Sequence, residues 1–213
     1  MSSFYDFIEI GTSDFDTLLE KSDENKRGIS IDPLSYFLDR LPEKDNCKKI
    51  CCAISDEEGE EDIYYITEET IKKYDLPNFV RGCGCLSDYH PFILTLLNNK
   101  SEIHPIGRKL DPSEIFSKER VKVRRLKSII DEHSIKKIKI LKIDTEGSDD
   151  KIVLDYLSCC KNEGYPMPYF IQFEHVLIDE SKRGKVLSFV IEQGYHLMSS
   201  NIDDVTFKLN HVS

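Results

Sequence analysis

What these 213 residues lack narrows the field first. No apolar run approaches the roughly 20 residues that a membrane-spanning helix needs, so no membrane association is expected. The start, Met1-Ser2-Ser3-Phe4-Tyr5-Asp6, has no basic stretch ahead of an apolar one, and no secretory leader is expected. Positive charge is scarce: 29 Lys and Arg face 39 Asp and Glu, for a net charge of -10. Affinity drawn from phosphate neutralisation needs a net positive face, so nucleic acid is not an expected partner. Internal repeats and low-complexity linkers are missing as well. Cysteine occurs seven times, with adjacent pairs at Cys51-Cys52 and Cys159-Cys160. An odd count with adjacent pairs makes a poor disulfide framework, which points to a reducing, cytoplasmic setting.

What is present suffices for one substantial domain. Hydrophobic residues make up 39% and charged residues 32%, enough for a packed core under a heavily solvated surface. Phe4 to Ile10 reads as a strand ending at Gly11, and Ser13 or Asp14 is placed to cap a helix over about 14–22. A strand at Gly28 to Ile31 stops at Asp32-Pro33, and Leu34 to Leu41 has helical spacing. Cys47 to Ile54 and Asp62 to Ile66 read as strands. Prolines and weak periodicity make 67–120 an irregular insertion with a short helix near Phe92 to Asn98, inside a single domain spanning 1–213. Order returns with a strand at Val121 to Arg125, a helix at Leu126 to Ser134 and a strongly apolar strand at Ile138 to Ile143. Helices from Ser148 to about Cys160 and from Glu180 to Gln193 flank a strand at Tyr169 to Glu174, and strands at Tyr195 to Met198 and Val205 to Leu209 close the chain. Alternating strands and helices predict an α/β fold, a mostly parallel sheet with helices on both faces. The short link at 199–204 allows a hairpin but no parallel crossover, so the C-terminal strand is expected to be antiparallel.

In such a sheet the ligand edge lies at the carboxyl ends of the strands. Gly11 permits a sharp turn there, and Ser13 follows it, although no repeated-glycine fingerprint is present. Asp32 ends the second strand, 21 positions after Gly11, where an acid can accept hydrogen bonds from ribose hydroxyls; capping of the next helix is the competing role. Along Ile140-Leu141-Lys142-Ile143-Asp144-Thr145-Glu146-Gly147, alternation puts Lys142 and Asp144 on one face. A lysine in a strand this apolar is costly unless paired, so the two read either as a structural ion pair or as site residues.

With these pieces in order the chain resembles the FkbM-type methyltransferases, a branch of the Rossmann-like class I fold that uses S-adenosylmethionine (SAM). The matching segments are Phe7-Ile8-Glu9-Ile10-Gly11, Ile31-Asp32-Pro33, Ala53-Ile54-Ser55-Asp56 with Gly59, the run Val121 to Ile130, Leu141-Lys142-Ile143-Asp144-Thr145-Glu146-Gly147 and Ile171-Gln172-Phe173-Glu174. The resemblance implies transfer of a methyl group from SAM, most often to an oxygen. It implies that Glu9, Gly11 and Ser13 line the methionine end of SAM, that Asp32 holds the ribose and that Ser55 and Asp56 sit by the adenine. Asp144 would then lie between cofactor and acceptor, supported by Lys142 and Glu146. Where the family usually continues its first motif with Ala-Asn and a second glycine, this chain has Thr12-Ser13-Asp14-Phe15. That departure keeps open a second reading, a catalytically impaired binding or scaffold protein on the same fold.

O-methylation asks for alignment of three atoms and removal of a proton. Asp144, His175 and His90 are the candidate bases. His175 follows a strand to the ligand edge, and His90 lies in the insertion. The same-face Lys142 is expected to hold Asp144 ionised. Cys83 and Cys85 lack the second close pair of a tetrahedral zinc site, so no metal is expected. Lys122, Arg124, Arg125 and Lys127 form the one basic cluster, either a solvated face or the receiver of an anionic acceptor such as a sugar phosphate. The expected partner is therefore a hydroxylated small molecule such as a glycan or sugar phosphate. A nicotinamide-dependent oxidoreductase is disfavoured by the missing glycine fingerprint.

Overall fold

The computed structural model describes residues 3–15, 17–98 and 111–210. β1 (Phe4–Ile10) leads through α1 (Leu18–Lys21) to β2 (Gly28–Asp32), α2 (Ser35–Leu38) and β3 (Cys47–Cys51). β4 (Ala53–Ile54) and β5 (Gly59–Tyr65) precede α3 (Glu68–Tyr74), a 3-10 turn (Asn78–Gly82), β6 (Cys85–Leu86), α4 (Pro91–Asn98) and α5 (Pro112–Ile115). β7 (Ser117–Arg124), α6 (Leu126–Glu132), β8 (Lys137–Ile143), α7 (Asp149–Glu163) and β9 (Phe170–Glu174) follow. The chain closes with α8 (Glu180–Glu192), β10 (Tyr195–Ser200) and β11 (Asp204–Leu209). The contacts divide it into two compact units, Met1–Gly59 with Lys122–Ser213, and Glu60–Val121.

In the larger unit seven strands form one sheet in the order β10-β11-β9-β8-β1-β2-β3. β11 runs antiparallel to both neighbours, as its short link to β10 requires, and the other neighbouring strands are parallel. The chain moves from β1 outward to β2 and β3, then returns to lay β8 against the other side of β1. The strand order therefore reverses between β1 and β8, the position at whose carboxyl ends ligands bind in open α/β sheets. This is the Rossmann-like arrangement, with β8 fourth of seven.

β1 is buried on both faces toward its carboxyl end, whereas β8 buries Leu141 and Ile143 on one face and leaves Ile140 and Lys142 half-buried on the other. On one face Ile8, Ile10, Leu141, Ile143 and Phe173 join Ile129 of α6, Tyr156 of α7 and Val190 of α8 in the main core. On the other, Phe7 packs with Leu19 of α1 and with Leu38 and Leu41. Each fully buried aliphatic side chain contributes about 1.5–3 kcal/mol. Ile143→Ala would cost about 2–5 kcal/mol and loosen the strand end that carries Asp144.

Several local expectations change. The first helix starts at Leu18, not near Asp14, because Thr17 rather than Ser13 caps it. The Thr17 hydroxyl accepts from the Glu20 amide, and the Glu20 carboxylate bonds back to the Thr17 amide. The run from Cys47 to Ile54 is two strands: β3 pairs with β2, whereas β4 pairs with β7 through Ala53 and Ile54. The helix after Pro33 keeps only Ser35–Leu38.

Among the described residues the Glu60–Val121 unit carries regular elements as well as loops. Thr67 caps α3, whose first turn carries Glu68 and Glu69 and whose last carries Lys72 and Lys73, the charge order that a helix dipole favours. Ile66, Ile71, Val80, Ile93 and Phe116 belong to a core of its own. Among the described residues no helix is long and apolar enough to cross a membrane.

Candidate functional site

Gly11 closes β1 with φ +77°, and a Cβ there would sit 1.7 Å from the Asp144 carbonyl oxygen. Three strand ends are tied together here: Asp144 N–H donates to Ile10 O at 2.9 Å, joining β8 to β1, and Gly11 N–H donates to Ile31 O at 2.9 Å, joining β1 to β2. Glycine is needed both for the left-handed backbone and for the close approach. Ser13, two residues on, is also left-handed at φ 46°, as is Glu146 in the loop after β8 at φ 55°. Non-glycine residues in that region cost of order 1–3 kcal/mol, and such strain gathers where backbone shape matters.

Asp32 supplies the clamp for Ser13. One carboxylate oxygen accepts from Ser13 N–H at 2.9 Å and the other from Leu34 N–H at 2.9 Å. It is nearly fully buried, and that burial pushes its pKa up to about 6 against the pull of the Leu34, Ser13 and Thr12 amides. Asp32 therefore shapes the loop after β1 and also caps the turn after β2, so both roles weighed for it meet in one carboxylate.

Beneath the loop, Glu9 is fully buried. Its carboxylate accepts from the Leu18 amide at 2.9 and 3.0 Å, fixing the start of α1, and from Lys142 Nζ at 3.2 Å. Lys142 lies 3.7 Å from Asp144 on its other side. The expectation that Lys142 holds Asp144 ionised is overturned. Loss of water around Asp144 is the largest influence; Lys142 opposes it, and Glu146, Asp149 and Asp204 add repulsion, so the pKa rises to about 7. Lys142 is the nearer partner of Glu9, and one ammonium cannot neutralise both acids.

The sequence reading missed the rest of this carboxylate group. Asp149, at the start of α7, accepts from Thr145 N–H at 3.0 Å and from Glu174 N–H at 3.1 Å, tying the ends of β8 and β9 together. Its burial raises the pKa to about 6. Glu174 ends β9 and pairs in register with Asp204 of β11. One Glu174 carboxylate oxygen is buried with no hydrogen-bond partner among the described residues. Burial, then the negative charges of Glu146, Asp149, Asp144 and Asp204, push Glu174 to about 9. The segment Ile171-Gln172-Phe173-Glu174 was visible as a motif, but the register that sets Glu174 beside Asp144 is a long-range fact.

The Methyltransferase FkbM domain matches residues 7–197. The chain belongs to the FkbM methyltransferase family. No curated protein and no solved structure matches it. The family places the chain among methyltransferases, and the matched stretch contains every site residue named above except Asp204.

Within this FkbM domain the remaining expected residues lie on other elements than β1, β2 and β8. Ser55 is buried at the end of β4 and donates to Asp56 at 3.0 Å, while Asp56 is exposed. His175 is at the sheet edge but turned toward the β10–β11 link: its amide donates to Asp203 O at 2.7 Å, and its Nε2 lies 3.3 Å from Asn201 O. His90 is buried in the Glu60–Val121 unit, where its carbonyl accepts from Leu94 N–H at the start of α4. The basic cluster is largely paired: Arg124 meets Glu132 at 2.8 Å, Arg125 Nε meets Asp155 at 3.1 Å, and Lys127 meets Glu163 at 3.1 Å. An incoming anion would have to displace these carboxylates.

Proposed function

We propose that the chain transfers the methyl group of SAM to a hydroxyl oxygen of a small acceptor, with sugars and sugar phosphates as the first class to test. The observation that carries the reading is the half-buried, under-neutralised carboxylate group at the switch point between β1 and β8. SAM supplies an activated methyl on a sulfonium cation. The donor set suits such a molecule, because a cation relieves repulsion among carboxylates that one ammonium leaves unbalanced.

Asp144 takes the proton of the acceptor hydroxyl. A base whose pKa lies near 7 combines availability with proton affinity at neutral pH. Asp32 would hold the ribose hydroxyls with the acceptor capacity left beside the Ser13, Leu34 and Thr12 amides, since a carboxylate has about four acceptor sites. Gly11 and Ser13 shape the loop for the methionine end, Glu9 supports it from beneath, and Ser55 and Asp56 take the adenine side.

Incubation with methyl-tritiated SAM and a panel of sugars, sugar phosphates and other alcohols tests this. Label on an acceptor oxygen with equal S-adenosylhomocysteine formed supports the reading. SAM binding without transfer to any acceptor would favour a binding protein on the same fold, for which the bulkier Thr12 to Phe15 loop speaks. No SAM binding would defeat both.

A further inference from the structure

Two carboxylates compete for one ammonium under the strand ends. Glu9 and Lys142 face each other in register on the adjoining parallel strands β1 and β8. Their pairing is therefore set by the sheet and not by chance meeting of mobile side chains. The Glu9 carboxylate is 0% exposed, and the Lys142 side chain is 15% exposed. Lys142 Nζ is 3.2 Å from Glu9 and 3.7 Å from Asp144, whose side chain is 38% exposed. The Leu18 amide holds Glu9 from the far side, so it cannot withdraw.

We propose that Glu9 is a positioning residue that draws Lys142 away from full pairing with Asp144, and so keeps Asp144 a competent proton acceptor. The catalytic consequence rests on the methyl-transfer reading; the electrostatic statement does not.

The physical reason is a charge count. One ammonium balances one carboxylate, so the second keeps its proton to higher pH, and the two titrate as a coupled set. The other groups facing Asp144 do not supply the balance. Glu146 in the adjoining loop, Asp149 of α7, Glu174 of β9 and Asp204 of β11 are all acids. Without the Glu9 charge, Lys142 would settle on Asp144 and hold it ionised. A carboxylate so held is a weaker base, which is the opposite of what proton removal at neutral pH needs.

Carboxyl carbon-13 NMR on the full chain, labelled at Asp and Glu and without any ligand, reads this out. In the wild type the Asp144 midpoint is expected near neutrality. In Glu9→Gln, which keeps the shape and an acceptor for Leu18, the midpoint should fall by about one pH unit or more. In Lys142→Met it should rise. An unchanged or raised midpoint in folded Glu9→Gln would overturn the proposal. If Glu9→Gln does not fold, the wild-type curves decide. The Glu9 and Asp144 resonances must each report both midpoints, and two independent single-step curves would overturn it. Because no SAM is used, failure to bind SAM would sink the methyl-transfer reading and leave this test intact.

Discussion

Two groups of charged side chains in the larger unit obey opposite rules. Around β7 and α6, bases meet acids one to one: Arg124 with Glu132, Arg125 with Asp155 and Lys127 with Glu163. The hydrogen bond from Arg124 holds Glu132 below the usual carboxylate range, and that from Lys127 does the same for Glu163. At the carboxyl ends of β8 and β9 the acids outnumber their ammonium and lose water, and their pKa values go up, Asp144 to about 7 and Glu174 to about 9. Matched surface charge is scaffold, worth little on its own. Unmatched charge in poor solvent is tolerated where chemistry uses it, which is why perturbed groups mark candidate sites.

The sharpest way to break this contrast is Asp144→Asn. The variant should fold and bind SAM, yet transfer methyl at least ~100-fold more slowly, the low end for losing a general base. Near-normal turnover would remove Asp144 as the base and shift attention to His175.

Gly11→Ala tests whether the strand ends must touch. The added carbon meets the Asp144 carbonyl at 1.7 Å in a backbone conformation that alanine disfavours. A destabilisation of at least about 2 kcal/mol is expected in urea unfolding. Gly59, whose added Cβ would meet nothing within 4 Å, offers a comparison outside the β1–β8 junction.

The pH dependence of stability should follow the acid-rich group. Asp144 and Glu174 have ordinary values near 4 when unfolded and are raised to about 7 and about 9 when folded. Between the two values the folded chain holds more protons than the unfolded one, so stability falls as pH rises through that window. The melting temperature should therefore be several degrees lower at pH 9 than at pH 7. His133, whose burial lowers its pKa, acts below this interval and does not cancel it. An equal or higher melting temperature at pH 9 would contradict the unmatched-charge assignment.

The smallest effect is expected in the matched group. Lys127→Met should leave both the melting temperature and SAM affinity unchanged, because it removes one member of an exposed pair. A clear loss of SAM or acceptor affinity would mean that the basic cluster takes part in binding after all.

Much of this fold was legible because its signals are local. Alternating apolar strands, the hairpin-length link before β11 and the apolar run ending at Asp144 all follow from short-range pattern. The capping box of Thr17 and Glu20 and the capping and charge order of α3 are local signals too, the latter set among prolines that mask its periodicity. The site was half legible. Lys142 and Asp144 share a face by alternation, but the claim of Glu9 on Lys142 comes from a neighbouring strand 133 positions away in sequence. The grip of Asp32 on Ser13 spans 19 positions, and the approach of Glu174 depends on register. Sequence spacing carries residue type and face; it does not carry which strand lies next to which.

Calorimetric titration of S-adenosylhomocysteine into the wild-type chain and into Asp32→Ala tests the strand-end site most directly. Binding at one site per chain is expected in the wild type. In the variant it should weaken by about 10–150-fold, the equivalent of roughly 1.5–3 kcal/mol for hydrogen bonds to a charged group. No binding heat in the wild type, or the same affinity in both proteins, would contradict the placement of the cofactor at the carboxyl ends of β1 and β2.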